Sequence, residues 1–161
     1  MKKHVVWTGL LLAGSLLLTS CGFHLRGSLP LERYPAIFVD AKKHSELATL
    51  LSDQLESNKV KLLTELDPKA PALMLQQDSL ERRTLSLFPN GQVAEYELIY
   101  RVKYQLLLPD QEAVEYQFEL TRDYQDDPNL ALAKAKELDL LLQELRAQAA
   151  SRIIRQLNRI H

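Results

Sequence analysis

The chain has 161 residues, of which 46% are hydrophobic and 25% charged, with Lys+Arg 20 against Asp+Glu 21. That length suits a single domain, and that composition excludes a disordered polymer. The near-zero charge balance also excludes a generic nucleic-acid binder, which carries a basic excess.

The N-terminus is the most informative segment. Lys2 and Lys3 precede an apolar run from Val5 to Leu18, interrupted only by Thr8, Gly9, Gly14 and Ser15. Crossing a bilayer takes about 20 apolar residues, so this run has the dimensions of a signal-peptide core and not of a permanent span. It ends in Leu18-Thr19-Ser20-Cys21, which resembles the lipobox of a bacterial lipoprotein. The chemistry requires cysteine there. Its sulfur accepts a diacylglycerol group, the preceding bond is cut, and the freed amine is open to acylation. Residues 1–20 are therefore expected to be a lipoprotein signal peptide. Cys21 is the expected lipid attachment site, with palmitate-like chains holding the mature protein on a membrane.

Gly22 follows, where an aspartate would resemble the inner-membrane retention signal, so the bias is toward the outer membrane. Cys21 is also the single cysteine, so no internal disulfide is expected. Losing Lys2 and Lys3 takes the 20 basic residues to 18 against 21 acids. Any anion-binding role must then come from local clustering of cations.

Residues 21–35, with Gly22, Gly27, Pro30 and Pro35, read as an irregular lipidated tether, and 36–161 as one domain. Ala36-Ile37-Phe38-Val39 is a short β-rich run. Ser45 is a helix N-cap, with Glu46 placed to suit the helix dipole. Leu47, Leu51 and Leu55 then form a stripe at helical spacing, ending near Asn58. A short extended piece, Val60–Leu63, follows, and Pro68 and Pro71 mark a loop.

From Ala72 to Tyr124 the period falls to two. Ala94, Tyr96, Leu98, Tyr100, Val102, Tyr104 and Leu106 share one face of a strand, opposite Glu95, Glu97, Arg101, Lys103 and Gln105. Val114, Tyr116, Phe118 and Leu120 repeat the pattern. Leu73 to Leu87 is a third strand, but Leu80 breaks the parity of Leu73, Leu75, Leu85 and Leu87, which predicts a bulge or twist. Pro89-Asn90-Gly91 and Pro109-Asp110 supply hairpin turns. Asp127 as N-cap and Pro128 at the first helical position open a last helix of roughly 30 residues. Leu138, Leu142, Leu145, Ala149, Ile153, Leu157 and Ile160 form its stripe. The predicted fold is α+β, with two helices on one face of a mostly antiparallel sheet of about four strands, in the order β-α-β-β-β-α.

Enzymatic chemistry is hard to find. His24, His44 and His161 have no metal-ligand spacing, and no phosphate loop or nucleophile elbow occurs, so neither a metal nor a cofactor is expected. Carboxylates such as Glu95 and Glu97, or Glu115 and Glu119, lie on the solvent-facing parity of their strands. The cations are more suggestive. Arg82 and Arg83 are adjacent on a strand and so face opposite sides. Lys134 and Lys136 open the long helix, and Arg146, Arg152, Arg155 and Arg159 close it, where they complement its dipole. Leu85, Leu87 and Phe88 put apolar bulk at a hairpin tip near cations. That combination suits an amphiphile with both acyl chains and phosphates.

Three segments together resemble the LptE family of lipopolysaccharide-assembly lipoproteins. They are Cys21-Gly22-Phe23-His24-Leu25-Arg26, Phe88-Pro89-Asn90-Gly91-Gln92 with Ala94-Glu95-Tyr96, and Asp127-Pro128-Asn129-Leu130-Ala131-Leu132-Ala133-Lys134. The resemblance implies a sheet with two helices on it, seated as a plug inside the outer-membrane β-barrel LptD. It implies roles in assembling that barrel and in delivering lipopolysaccharide to the outer leaflet, with the protein lipid-anchored at the periplasmic side. It further implies lipopolysaccharide contact at the hairpin tip (Phe88, Pro89, Asn90, Gly91) and at the start of the last helix, where Lys134 matches. Relatives can carry Arg between the Phe and the Asn-Gly. Pro89 stands there in this chain, so the tip is uncharged, and Arg82 or Arg83 would supply the cation from further down the strand.

Two other readings remain open at this point. One is a membrane-tethered periplasmic lipoprotein that binds an amphiphile or scaffolds the cell wall without a barrel partner. The other is a hydrolase, for which the sequence offers no nucleophile–base pair.

Overall fold

A computed structural model describes residues 35–159. The signal segment, Cys21 and most of the tether lie outside the described residues, as do Ile160 and His161.

The elements follow in chain order as β1 (Ala36–Ala41), α1 (Glu46–Ser57), β2 (Lys61–Leu63), β3 (Ala72–Leu87), β4 (Val93–Leu107), β5 (Val114–Gln125) and α2 (Ala131–Leu157). The strands form one sheet in the order β2-β1-β3-β4-β5. β1 runs parallel to both neighbours, and the long β3–β4 and β4–β5 pairs are antiparallel. The two-helix, mostly antiparallel architecture is as expected, with one strand more. The extra strand is the extended piece after α1. The Lys61 N–H bonds the Pro35 carbonyl at 2.9 Å, and Ala36 to Phe38 pair with Lys61 to Leu63. Three residues are too few to show an alternation, so only pairing reveals the strand.

Local chemistry explains the helix starts. The Ser45 side chain accepts from the Ala48 N–H at 3.1 Å, satisfying an amide that the first turn leaves open. Asp127 accepts from the Asn129 N–H at 2.9 Å, and Pro128, which has no N–H to lose, follows it. The first turn there, Pro128–Leu130, is a tight 3₁₀ turn, and regular helix begins at Ala131.

The core lies between the helices and one face of the sheet. Leu47, Leu51 and Leu55 of α1 meet Leu145, Ala149, Ala150, Ile153 and Leu157 of α2. Beneath them lie Ile37, Leu73 and Leu75, with Tyr100, Val102, Tyr104 and Leu106 from the predicted face of β4. The parity break in β3 is a bulge. Leu75 pairs with Tyr104 and Gln77 with Lys103, leaving Gln76 extra. Beyond it the even-numbered residues face the helices, which brings Leu80 against the core. A second irregularity between Thr84 and Ser86 frees Leu85 near the tip.

A polar network ties the helices to the sheet. The Tyr100 hydroxyl donates to Asp78, and the Ser45 hydroxyl donates to the other Asp78 oxygen at 2.9 Å. Arg146 of α2 pairs with Glu46 of α1 at 2.5 Å. Burial first, then the Asp78 hydrogen bond, raises the Tyr100 pKa far above the ordinary phenol value.

Among the described residues, the other sheet face carries no helix. There Arg83 pairs with Glu97, Arg101 with both Glu81 and Glu119, and Lys103 with Glu115 at 3.0 Å. Opposite charges meet across strands, although the acids outnumber the cations on this face.

Candidate functional site

The site is built where β3, β4, β5 and the start of α2 converge. The β3–β4 tip closes through the Phe88 N–H donating to the Gln92 carbonyl at 2.8 Å and the Gly91 N–H to the Phe88 carbonyl at 2.9 Å. Gly91 sits at φ +84°, a left-handed conformation that favours glycine. The Asn90 side chain accepts from the Gln92 N–H at 3.1 Å, which stiffens the tip.

A second segment lies against it. The Asp126 N–H donates to the Ala94 carbonyl at 2.9 Å, holding the β5–α2 junction beside the hairpin. Between them lies a shallow cavity of about 320 Å³, lined by Phe88, Pro89, Asn90, Gln92 and the run Asp127 to Asn129. Two motifs 35 or more residues apart in sequence therefore wall one hollow.

Register places the cations. Thr84, Tyr96 and Tyr124 form one row across the sheet, and Arg82, Leu98 and Arg122 form the next, all on the helix side. The Arg82 guanidinium stands 6.0 Å from the Tyr96 ring. The Tyr124 hydroxyl donates to the Lys134 carbonyl at 2.9 Å, and the Lys134 ammonium lies 5.4 Å from the same ring. Burial and the neighbouring Asp126 carboxylate hold the Tyr124 phenol above its ordinary pKa. Lys134 pairs with Glu137 at 2.8 Å, and that hydrogen bond raises its pKa.

Large apolar side chains are exposed around these cations. Leu85, Leu87 and Phe88 on the hairpin are 48%, 59% and 39% exposed, and Leu130 and Leu132 on the junction 54% and 84%. Among the described residues, five of the eight large exposed apolar residues are at this one end. That exceeds the scattered surface apolar residues of an ordinary domain and marks a contact surface.

A family model described as "LptE: Lipopolysaccharide-assembly" matches residues 34–157. The chain belongs to the LptE family. Among its relatives, the LPS-assembly lipoprotein LptE of Photorhabdus laumondii is 34% identical over 161 residues, 99% of this chain and 88% of that one. The protein of the same name from Yersinia pestis is 34% identical over 162 residues, covering 99% and 78%. Among solved structures, the rare lipoprotein B from Shewanella oneidensis superposes with a TM-score of 0.69 at 43% identity, covering 76% of this chain and 92% of that one. The NMR structure of lipoprotein B from Nitrosomonas europaea gives 0.69 at 26% identity, covering 85% and 90%.

In this LptE-family chain, the structure brings Phe88, Pro89, Asn90, Gly91, Arg82 and Lys134 to one end and one side. It places Arg83 on the opposite face, held by Glu97. Arg122 shares the Arg82 row, and sequence reasoning missed it. Its signal was present, because Arg122 occupies the parity of Tyr116, Phe118, Leu120 and Tyr124, where a cation interrupts an otherwise apolar face.

Proposed function

We propose that this protein is a non-catalytic outer-membrane lipoprotein, anchored through acyl chains on Cys21 at the periplasmic side. In this reading it plugs the LptD β-barrel and assists its assembly. It takes part in lipopolysaccharide transport to the outer leaflet, binding lipopolysaccharide at the hairpin end. The observation that carries the reading is the joining of exposed Leu85, Leu87, Phe88, Leu130 and Leu132 to Arg82, Arg122 and Lys134 at one end. Lipopolysaccharide has both acyl chains and phosphates, and this surface offers apolar contact beside charge-assisted donors. Family membership and the relatives' lipoprotein names support the lipid anchor. Among the described residues no helix is long and apolar enough to cross a membrane, so acyl chains would supply the attachment.

The helix-free sheet face suits the polar lumen of a barrel. Its cross-strand ion pairs present hydrogen-bonding side chains over a long polar surface.

Two measurements test the reading. Tagged full-length protein should bring a large β-barrel out of detergent-solubilised outer membrane. Lipopolysaccharide binding should fall about tenfold in Lys134→Glu, as expected for a lost charge-assisted contact of about 1.4 kcal/mol. Arg83→Glu, on the other face, should shift it less than Arg82→Glu does. Recovery of the chain without a barrel, with lipopolysaccharide binding retained, would favour the barrel-free amphiphile binder. Unchanged affinity in Lys134→Glu removes Lys134 from the site.

A further inference from the structure

The two edges of the sheet are built differently. β2 is three residues long, and shortness is one of the ordinary ways a protein blunts an open edge. β5 is twelve residues long and pairs with β4 at every position from Glu95–Gln125 to Leu106–Val114 without a bulge. It contains no proline and no glycine. Of its three acids, Glu115 and Glu119 are drawn into pairs with Lys103 and Arg101, so only Asp123, near its end, stands without an ion pair among the described residues. Among the described residues nothing pairs with its outer side, leaving alternate backbone amides and carbonyls of β5 open to solvent.

A row of cations flanks this edge. Arg152 and Arg155 lie three residues apart on one side of α2, and Arg159 follows just past its end. The Arg152 guanidinium lies 4.4 Å from the ring centre of Phe118, a β5 residue. Two shallow hollows share Arg152 and Arg155. One, of about 440 Å³, has Leu120 of β5 in its lining, and the other, of about 390 Å³, reaches Arg159. Among the described residues none of the three arginines forms an ion pair. The helix dipole accounts for cations in the last turn, where Arg155 stands, but not for Arg152 above the strand.

We propose that the free edge of β5, beside the arginine row Arg152, Arg155 and Arg159, is a docking edge for an extended acidic segment of a partner protein. An added strand completes the backbone hydrogen bonds of β5, and its alternate side chains point to the helix side, where carboxylates meet the guanidinium groups. A second copy of this chain fits poorly. Antiparallel pairing of two β5 edges puts both α2 helices on one face and brings six arginines together without a counter-charge. The inference rests on the fold and not on what binds at the hairpin end.

Amide hydrogen exchange on the full chain, in membranes of its source cell and purified in detergent, tests it. In membranes, alternate amides of β5 are expected to exchange about tenfold or more slowly, whereas the β2 edge changes little. Arg152→Glu with Arg155→Glu, both at exposed positions, is expected to return β5 to the purified rate. The milder Arg152→Gln with Arg155→Gln should do so in part. An unchanged β5 in membranes overturns the docking edge, and slowing that survives charge reversal overturns the acidic occupant. The same slowing in protein-free vesicles of the source lipids would show that lipid, not a partner segment, covers the edge.

Discussion

The two ends of this molecule share one sheet and one long helix, yet only one end is closed. Where α1 and α2 lie side by side, Leu145, Ala149, Ala150, Ile153 and Leu157 of α2 are all buried. Among the described residues, the same helix before Leu145 has no second helix beside it, because α1 begins at Glu46, level with Arg146. Leu138 and Leu142, on the same predicted stripe, are only half-buried there, and Leu132 and Leu140 are 84% and 60% exposed. The closed end also ties Ser45, Asp78 and Tyr100 together internally, although Arg146 Nε and Asn158 Oδ1 are buried there without a partner among the described residues. The hairpin end leaves apolar surface and cations available. Stability is concentrated at one end, and most of the exposed large apolar side chains of the described residues at the other.

The sharpest way to break this comparison is to cut into both ends. Leu51→Ala should cost about 3 kcal/mol in urea unfolding, since it removes a fully buried side chain whose site cannot collapse freely. Leu132→Ala should stay within about 0.5 kcal/mol. Similar losses at the two positions would mean that the hairpin end carries a core of its own.

The pH dependence sharpens the same point. Burial, then the neighbouring Tyr116, pushes Tyr104 up to about 12, and Tyr100 is raised further. A phenol whose folded pKa is raised contributes stability that is complete below its unfolded value of about 10. That contribution is lost as pH rises from there through the folded value, because the unfolded chain gives up the proton first. Stability should therefore fall above about pH 10. Tyr104→Phe should make the fall shallower, by at most about 1.4 kcal/mol per pH unit between about 10 and 12, as measured by denaturation at a series of pH values. A slope identical to that of the parent would mean that Tyr104 is not held in the closed core.

Smaller effects belong to the hairpin end. Gly91→Ala should cost about 1 kcal/mol from backbone strain alone, since nothing lies within 4 Å of the added methyl group. Freed of its partner by Glu137→Gln, Lys134 should bind lipopolysaccharide about twofold more tightly, as the loss of one exposed helix pair allows. Weaker binding in that variant would show that Glu137 itself serves the contact.

Much of the fold was legible locally. The stripe of α1, the Ser45 cap, the alternation of β4 and the Asn90-Gly91 turn each depend on neighbours a few residues away. The break at Leu80 even announced the Gln76 bulge, because a period of two tolerates no hidden insertion. The last helix was legible in its stripe but not in its burial, which depends on where α1 starts. The candidate site was legible only as separate pieces, namely Phe88 to Gly91, Arg82 with Arg83, and Lys134. Nothing local says that Asp127 to Asn129 wall the same hollow as the hairpin tip.

By itself, then, the sequence determined which faces are apolar, where the helices are capped and where the chain turns, because those follow from periodicity and short-range hydrogen bonding. It also carries the expectation of an acylated Cys21. Only the tertiary structure decided that Lys61–Leu63 is a strand, that Arg82 shares a row with Arg122 while Arg83 is held by Glu97, and that β5 is left with an open edge. Those outcomes depend on strand register and order, and the partner atoms that set them come from segments tens of residues away in the chain.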